Sequence, residues 1–428
     1  MRKNLSFLPR VLLAVVFALA THVSASTEKI LHTFRNGNDG ARPESSLVSD
    51  SVGNLYGTTF EGGVNNLGMV FMLTPTSSGT WKETSLHHFT GGRDGSAPTA
   101  LAIDPSGTLY GIATQGGSPT RGTSKCQQQG CGTIFKLVPS ATGWRFNLLH
   151  SFTGASDGAS PNGLTLDAAG NLYVTTYLGG AASAGVVFGM TPTANGLRGQ
   201  TIHVFNYTDG QYPTGGVVVD SAGNLFGTTT GGSTYTQGEV YELTPTASGW
   251  TESTVYAFMG NSDGSEPVGP LVSDAAGNFF GTMCDVRYIN CAVFEVTPIA
   301  GGGWTESVIY SFTGGSDGSG AFTGVILSST GNLYGTAYNG GNTGCQNGCG
   351  VVFQLTPVSG AWTQSVLYSF TGGADGSNPF GLILDSTGNL FGATGAGGKT
   401  TTVCGCGVVF ELTATARRAE VESPSERY

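Results

Sequence analysis

Cysteine, histidine and aspartate are the residues of this chain whose types and spacing could do chemistry. The eight cysteines fall in four local pairs: Cys126 and Cys131, Cys284 and Cys291, Cys345 and Cys349, Cys404 and Cys406. Even numbers in local pairs read as disulfides in an exported chain, whereas zinc would need ligands converging from distant segments with histidine help. Cys404 and Cys406 close around a single glycine, the most strained of the four rings. Among the histidines, His32, His87, His150 and His203 stand two residues before a recurring phenylalanine, and Tyr256, Tyr310 and Tyr368 fill the same place elsewhere. A position that accepts either ring is a half-buried strand position, not a catalytic one. Every aspartate except Asp285 sits at one of two recurring turn positions, where its side chain caps backbone and glycine supplies positive φ. GGSDGSG at 314–320 invites a calcium reading, but calcium wants six to eight oxygens and each loop offers one aspartate. No metal or other cofactor is expected.

These residues are held by a repeat. From Trp362 to Thr413 the chain reads as four short apolar runs, VLYSF, GLILD, NLFGAT and GVVFELT, each closed by Gly, Asp, Asn or Pro. They are strand-length, rich in β-branched and aromatic residues, and too short for helices. The phenylalanine ending the first run recurs at Phe34, Phe89, Phe152, Phe205, Phe258, Phe312 and Phe370, always more than fifty residues apart. An Asp-Gly follows each. An Asp-x-x-Gly-Asn turn before an aromatic comes next in the first and last copies (Asp50 to Tyr56, Asp385 to Phe391), and a further aromatic marks the V-F-x-L-T run at Phe71, Phe135, Phe188, Tyr241, Phe294, Phe353 and Phe410. Seven copies of four strands predict an all-β, seven-bladed β-propeller with four-stranded antiparallel blades.

The stretches LYSFTGGADGSNP, LDSTGNLFGAT and GVVFELT resemble the choice-of-anchor tandem repeat GloVer-containing proteins, a bacterial secreted or surface family. The resemblance covers Ile30 to Thr413. It implies repeated extracellular modules joined to varying sorting signals, and no activity.

The ends and the composition agree with export. Residues 1–25 read as a signal peptide: Arg2, Lys3 and Arg10, an apolar run from Val11 to Ala20, and a small-residue cleavage site at Val23-Ser24-Ala25. The apolar run is shorter than the roughly 20 residues that span a bilayer. A propeller is expected over 26–413 and a disordered, charged tail over 414–428, which departs from the sorting segment common in the family. Glycine reaches 70 residues and charged residues only 11%, yet 39% are hydrophobic at period-2 spacing, which argues for a packed core. A formal charge of −10 disfavours nucleic acid and anionic membranes as partners. The expectation is a monomer that is secreted, periplasmic or at the cell surface, with no membrane span once the leader is removed.

Within each blade the Leu-Ile-Leu-Asp type run should be innermost and the tryptophan-to-phenylalanine run outermost. Lys29 to Phe34 is an outer-type strand with no blade of its own, so it should complete the seventh blade. The Asp-Gly-x-x-Pro loops and the loops between second and third strands then share one face. The latter class alone varies in length and holds all eight cysteines, and variable loops on a rigid scaffold are where binding usually lives. Asp285, Arg287 and Tyr288, in the loop that lacks the recurring Gly-Gly, are the candidate binding residues for an extracellular polysaccharide or surface protein. A polysaccharide-acting lyase or hydrolase is the alternative, with Glu61, Glu239, Glu266 and Asp285 near that face; a purely structural repeat is the third reading. The inner runs Ala100 to Ile103, Gly163 to Leu166, Gly216 to Val219 and Gly381 to Leu384 are apolar, so the axial channel is expected to lack polar groups, which disfavours catalysis. No catalytic residue is assigned.

Overall fold

A computed structural model describes residues 26–117, 126, 129–260, 262–285, 290–398 and 404–413. The expected leader, the expected tail, Arg287 and Tyr288 lie outside the described residues. The chain forms seven four-stranded antiparallel sheets. In six of them the strands are consecutive, as in blade 2: Ser96–Ile103, Leu109–Gln115, Thr133–Ser140 and Gly143–Ser151. The seventh combines Ser377–Leu384, Leu390–Ala396 and Val408–Thr413 with Thr27–Thr33 from the other end of the chain. That strand runs from Thr27 opposite Thr413 to Thr33 opposite Val408, so the clasp expected from the sequence closes the ring and covers an edge that would otherwise template further pairing.

The third strands show why these runs fold as strands. In Val351–Val358 one side of the pleat is buried between blades while the far end turns to solvent. The seven marker aromatics fill the spaces between blades. Each phenylalanine that ends an outer strand meets, edge to face, the third-strand aromatic of the next blade, as Phe34 does Phe71 at 5.2 Å, Phe205 does Tyr241 at 5.2 Å and Phe370 does Phe410 at 5.1 Å. A glycine in the second strand makes room for that ring: a Cβ on Gly111 would stand 2.3 Å from Phe135.

The His-or-Tyr position has a partner that the spacing alone did not reveal. His32 lies 2.9 Å from Asp39, His87 3.1 Å from Asp94 and His150 3.1 Å from Asp157. Tyr256, Tyr310 and Tyr368 donate hydroxyl protons to Asp263, Asp317 and Asp375. Either ring brings a donor to the Asp-Gly aspartate, which also accepts a backbone N–H, as from Thr371 to Asp375 at 2.7 Å. The other aspartate position is self-contained too. Asp50 accepts from the backbone of Val52 and Asn54 and from the Asn54 side chain. Among the described residues no cluster of His, Cys, Asp or Glu could hold a metal ion.

Neighbouring blades are joined by a second repeated device. The residue before the conserved-position proline takes positive φ in Arg42, Ala97, Ser160, Tyr212, Glu266 and Asn378, from 52° to 59°. That geometry turns its N–H to a carbonyl of the preceding blade: Cys406, Leu67, Cys131, Ala184, Gln237 and Cys349 respectively, at 2.7 to 2.9 Å. The residue after each of those carbonyls is a glycine lying against the next proline. A Cβ on Gly68, Gly132, Gly185, Gly238, Gly350 or Gly407 would stand 2.3 to 2.8 Å from the proline ring. The seam between blades 5 and 6 breaks the rule at both members. Cys291 replaces the glycine, Ala321 replaces the proline, and both belong to one apolar cluster.

The expected disulfides Cys126–Cys131, Cys284–Cys291 and Cys345–Cys349 form, and Cys404–Cys406, which the sequence left open, is bonded too. Cys131, Cys349 and Cys406 are the residues whose carbonyls receive the next blade's N–H, so these bridges fix seams as well as loops.

Candidate functional site

Ala41 and Glu61 pair as an isolated bridge, which sets the Asp-Gly-x-x-Pro loops beside the second-to-third loops on one face, as expected. At the centre of that face the axial channel opens into a cavity of about 600 Å³. Its wall includes the residue after the proline position of every blade: Glu44, Thr99, Asn162, Thr214, Val268, Phe322 (after Ala321) and Phe380. The backbone turn before the proline aims these side chains inward. A narrower continuation of about 300 Å³ runs along the axis between Leu101, Leu164, Val217 and Leu271.

The expectation of an apolar channel is therefore corrected. Ser46, Thr99, Asn162, Thr165, Thr214 and Thr323 line it, with Glu44 at its opening. The inner strands begin upstream of the proline, at Ser96 in blade 2 and Ser377 in blade 7, so their polar residues precede the apolar runs picked out in the sequence. Asn162 donates to the Pro213 carbonyl and accepts from Thr175, tying blade 3 to blade 4. The Thr99 hydroxyl is shielded from solvent and has no hydrogen-bond partner.

The mouth is lopsided. Where blades 6 and 7 meet, Phe322, Tyr338 and Phe380 form a three-ring corner, with centroids 5.3, 5.6 and 6.1 Å apart. Beside it blade 1 supplies Arg42, whose Nε donates to Glu44 at 2.8 Å and whose Nη1 donates to Glu61 at 2.5 Å. The guanidinium lies 5.2 Å from the centre of the Phe60 ring. Burial lifts the Glu44 carboxyl above the ordinary range against the opposing pull of Arg42. Burial, then the charge of Glu44, pushes the Tyr338 hydroxyl up.

Of the acids named from the sequence, Glu61 reaches this site. Glu239 does not reach the surface: it is fully buried inside blade 4, where Thr254 donates to it. Glu266 precedes Pro267 on the same face, and burial, then Asp285, raises its carboxyl. Asp285 lines a separate depression of about 400 Å³ toward the outer strands, with Ser262, Met283 and Phe312, and accepts from Asn290. The structure brings Asp285 to the predicted face but not to the mouth. Glu44, Arg42, Asn162, Phe322, Tyr338 and Phe380 had been missed. For all but Tyr338, which lies four residues after Tyr334 at the end of a second strand, the signal lies in the two places flanking the proline position, which hold a different pair in every copy while the surrounding motif repeats. A larger depression of about 940 Å³ beside Cys126 has no charged side chain among the described residues of its lining and borders residues outside that set.

Fold and mouth define a seven-bladed repeat propeller with one polar-aromatic opening. A repeat described as the Gloeobacter/Verrucomicrobia repeat matches residues 13–124, 122–291 and 285–423, and the chain belongs to that family. No curated protein matches it. Among solved structures, an ulvan lyase of a new polysaccharide lyase family, bound to a GlcA(1-4)Rha3S saccharide, is 12% identical with a TM-score of 0.51, covering 89% of this chain and 94% of its own. The PQQ-bound aldose sugar dehydrogenase of Streptomyces coelicolor is 12% identical with a TM-score of 0.44, covering 90% and 98%. The likeness to the lyase is one of fold. Four disulfides fit an oxidising compartment, and among the described residues no helix is long and apolar enough to cross a membrane.

Proposed function

We propose that the protein is an exported binding module that takes a glycan into the mouth of its axial channel. The observation that carries this reading is the corner of Phe322, Tyr338 and Phe380 set beside Glu44. Sugar rings offer an apolar C–H face and a rim of hydroxyls. Aromatic walls with a few convergent polar groups match both. The cavity is large enough for a sugar ring, and its polar groups come from four or more blades.

Titration of the purified chain with soluble glycans tests this. Phe380→Ala and Phe322→Ala should weaken binding by tenfold or more, at about 1.4 kcal/mol per tenfold. Asn224→Ala, in an opposite-face turn, should leave it unchanged. Binding that survives both phenylalanine changes and falls with Asn224→Ala would place the site on the other face.

A second reading keeps the enzyme alternative. Glu44, with its carboxyl raised by burial, shares one guanidinium with Glu61 and stands near Tyr338, a grouping suited to acid–base work. Release of shortened products from a bound glycan, abolished by Glu44→Gln, would favour that reading over a module that only binds.

A further inference from the structure

Resting on that reading, we infer that the ligand is an uncharged or amine-bearing glycan chain, not a polyanion, and that it spans the mouth between two aromatic platforms on opposite arcs. The second platform is Tyr177 and Tyr212, stacked at 4.8 Å with planes 17° apart. Tyr177 lies four residues after Tyr173 on the second strand of blade 3, the same place that Tyr338 holds four residues after Tyr334 in blade 6. In both platforms this ring meets an aromatic flanking the next blade's proline: Tyr212 before Pro213, Phe380 after Pro379. Elsewhere that second-strand place holds Thr114, Thr230, Cys284, Gly395 and Phe60, the last with Arg42 over its ring.

In a ring of seven, the junction of blades 3 and 4 faces blade 7 across the axis. The cavity that Phe380 lines offers uncharged hydroxyl and amide groups from Ser46, Thr99, Asn162, Thr214 and Thr323, with Glu44 as its one described charged residue. Tyr177 is 39% exposed, a large ring offered to solvent on the binding face. Two stacking surfaces separated by hydroxyl and amide groups suit a chain of several sugars better than a single one.

Charge sets the chemical class. Among the described residues the cavity lining holds Glu44 and no lysine or arginine. The cation beside it, Arg42, is engaged by the carboxylates of Glu44 and Glu61, two negative charges against one positive. A uronate or sulfate group would meet a net negative rim and would have to displace a carboxylate from Arg42. A hydroxyl can instead donate to Glu44, and a sugar ammonium would be attracted to it.

The test is calorimetric titration of the full mature chain with cellobiose, cellohexaose, chitosan hexamer and alginate. Affinity should rise about fivefold or more from cellobiose to cellohexaose through the second stack. Tyr177→Ala should erase that gain and leave cellobiose binding unchanged, while Tyr177→Phe keeps it. Chitosan hexamer should bind at least as well as cellohexaose and lose its advantage in Glu61→Gln, and alginate should not compete. Alginate as the tightest ligand, or affinity for cellohexaose equal to that for cellobiose in the parent chain, overturns this inference while Phe380-dependent binding upholds the mouth. Binding that ignores both Tyr177 and Phe380, or no binding to any of the four, overturns both.

Discussion

The seams between blades and the mouth of the channel are made by adjacent residues of the same loops, and they follow opposite rules. At six seams a positive-φ residue sends its N–H to the previous blade, and a proline packs on a glycine that has no room for a Cβ. At the mouth, the side chains on either side of that proline run Arg-Glu, Ala-Thr, Ser-Asn, Tyr-Thr, Glu-Val, Gly-Phe and Asn-Phe around the ring. The backbone device repeats because it carries the fold, and it sets two side chains per blade beside the channel without dictating which residues they are. Those side chains are where one blade is told from another. The seam between blades 5 and 6 makes the same point in reverse. There Cys291 carries a Cβ at the glycine position and the smaller Ala321 stands at the proline position, so both sides of the contact differ together within one apolar cluster.

The largest effect should come from opening the ring. Deleting residues 26–36 removes the outer strand of blade 7 and the fully buried Phe34, whose loss alone costs about 3–5 kcal/mol by analogy with other buried phenylalanines. Calorimetry should show a melting transition far below that of the parent, or aggregation from the bared strand. An unchanged transition would mean that the clasp adds little to closure.

Next in size is a break at a single seam. Gly350→Val places a side chain at φ 92° with its Cβ 2.3 Å from Pro379, and should cost about 3 kcal/mol or more in chemical denaturation. Pro379→Ala added to it should recover part of the loss by relieving the clash with the proline ring, but not those with the Ala337 and Tyr338 carbonyls or the dihedral. Ala321→Pro should destabilise by about 1–3 kcal/mol through overpacking on Cys291. If Ala321→Pro instead stabilises, the two exchanges at that seam are unrelated. The mouth variants Phe322→Ala and Phe380→Ala should shift melting much less than Gly350→Val while removing ligand binding, the contrast that separates the two regions.

The smallest effect is on pH dependence, and it belongs to glutamates on the outer strands. Glu28 is lifted to about 7 by burial and then Asp375, Glu252 to about 7 by burial and then Glu239 and Asp209, and Glu306 to about 7 by burial and then Asp263. Between the ordinary glutamate value of 4.5 and about 7, the folded chain holds protons that the unfolded chain releases. Stability should therefore fall as pH rises through that window and level off above it. His87 and His88, held below their usual value by burial, pull the other way. The double variant Glu252→Gln, Glu306→Gln should flatten the fall. A pH profile of melting temperature unchanged by that pair would show that these carboxyls titrate normally.

Much of this protein follows from local chemistry alone. Period-2 apolar runs, Asp-x-x-Gly-Asn turns and the unpaired strand from Lys29 to Phe34 determined seven blades, their strand order and the clasp, because each signal acts within one repeat or at a chain end. Cysteines a few residues apart could pair only within their loops or leave the pattern unexplained. The shared His-or-Tyr position was legible as structural, though its aspartate partner, five residues beyond the marker phenylalanine in most copies, emerged only when the loop folded back. The mouth was decided by the tertiary structure. Glu44 and Phe380 are neighbours because the ring closes, and Arg42 meets Glu61 because two loops share a face. No spacing along the chain encodes those meetings. The inner strands looked apolar for the same reason: which residues face the axis depends on where the strand enters the ring, at Ser96 or Ser377, beside the seam hydrogen bond that Ala97 or Asn378 donates to the blade before it.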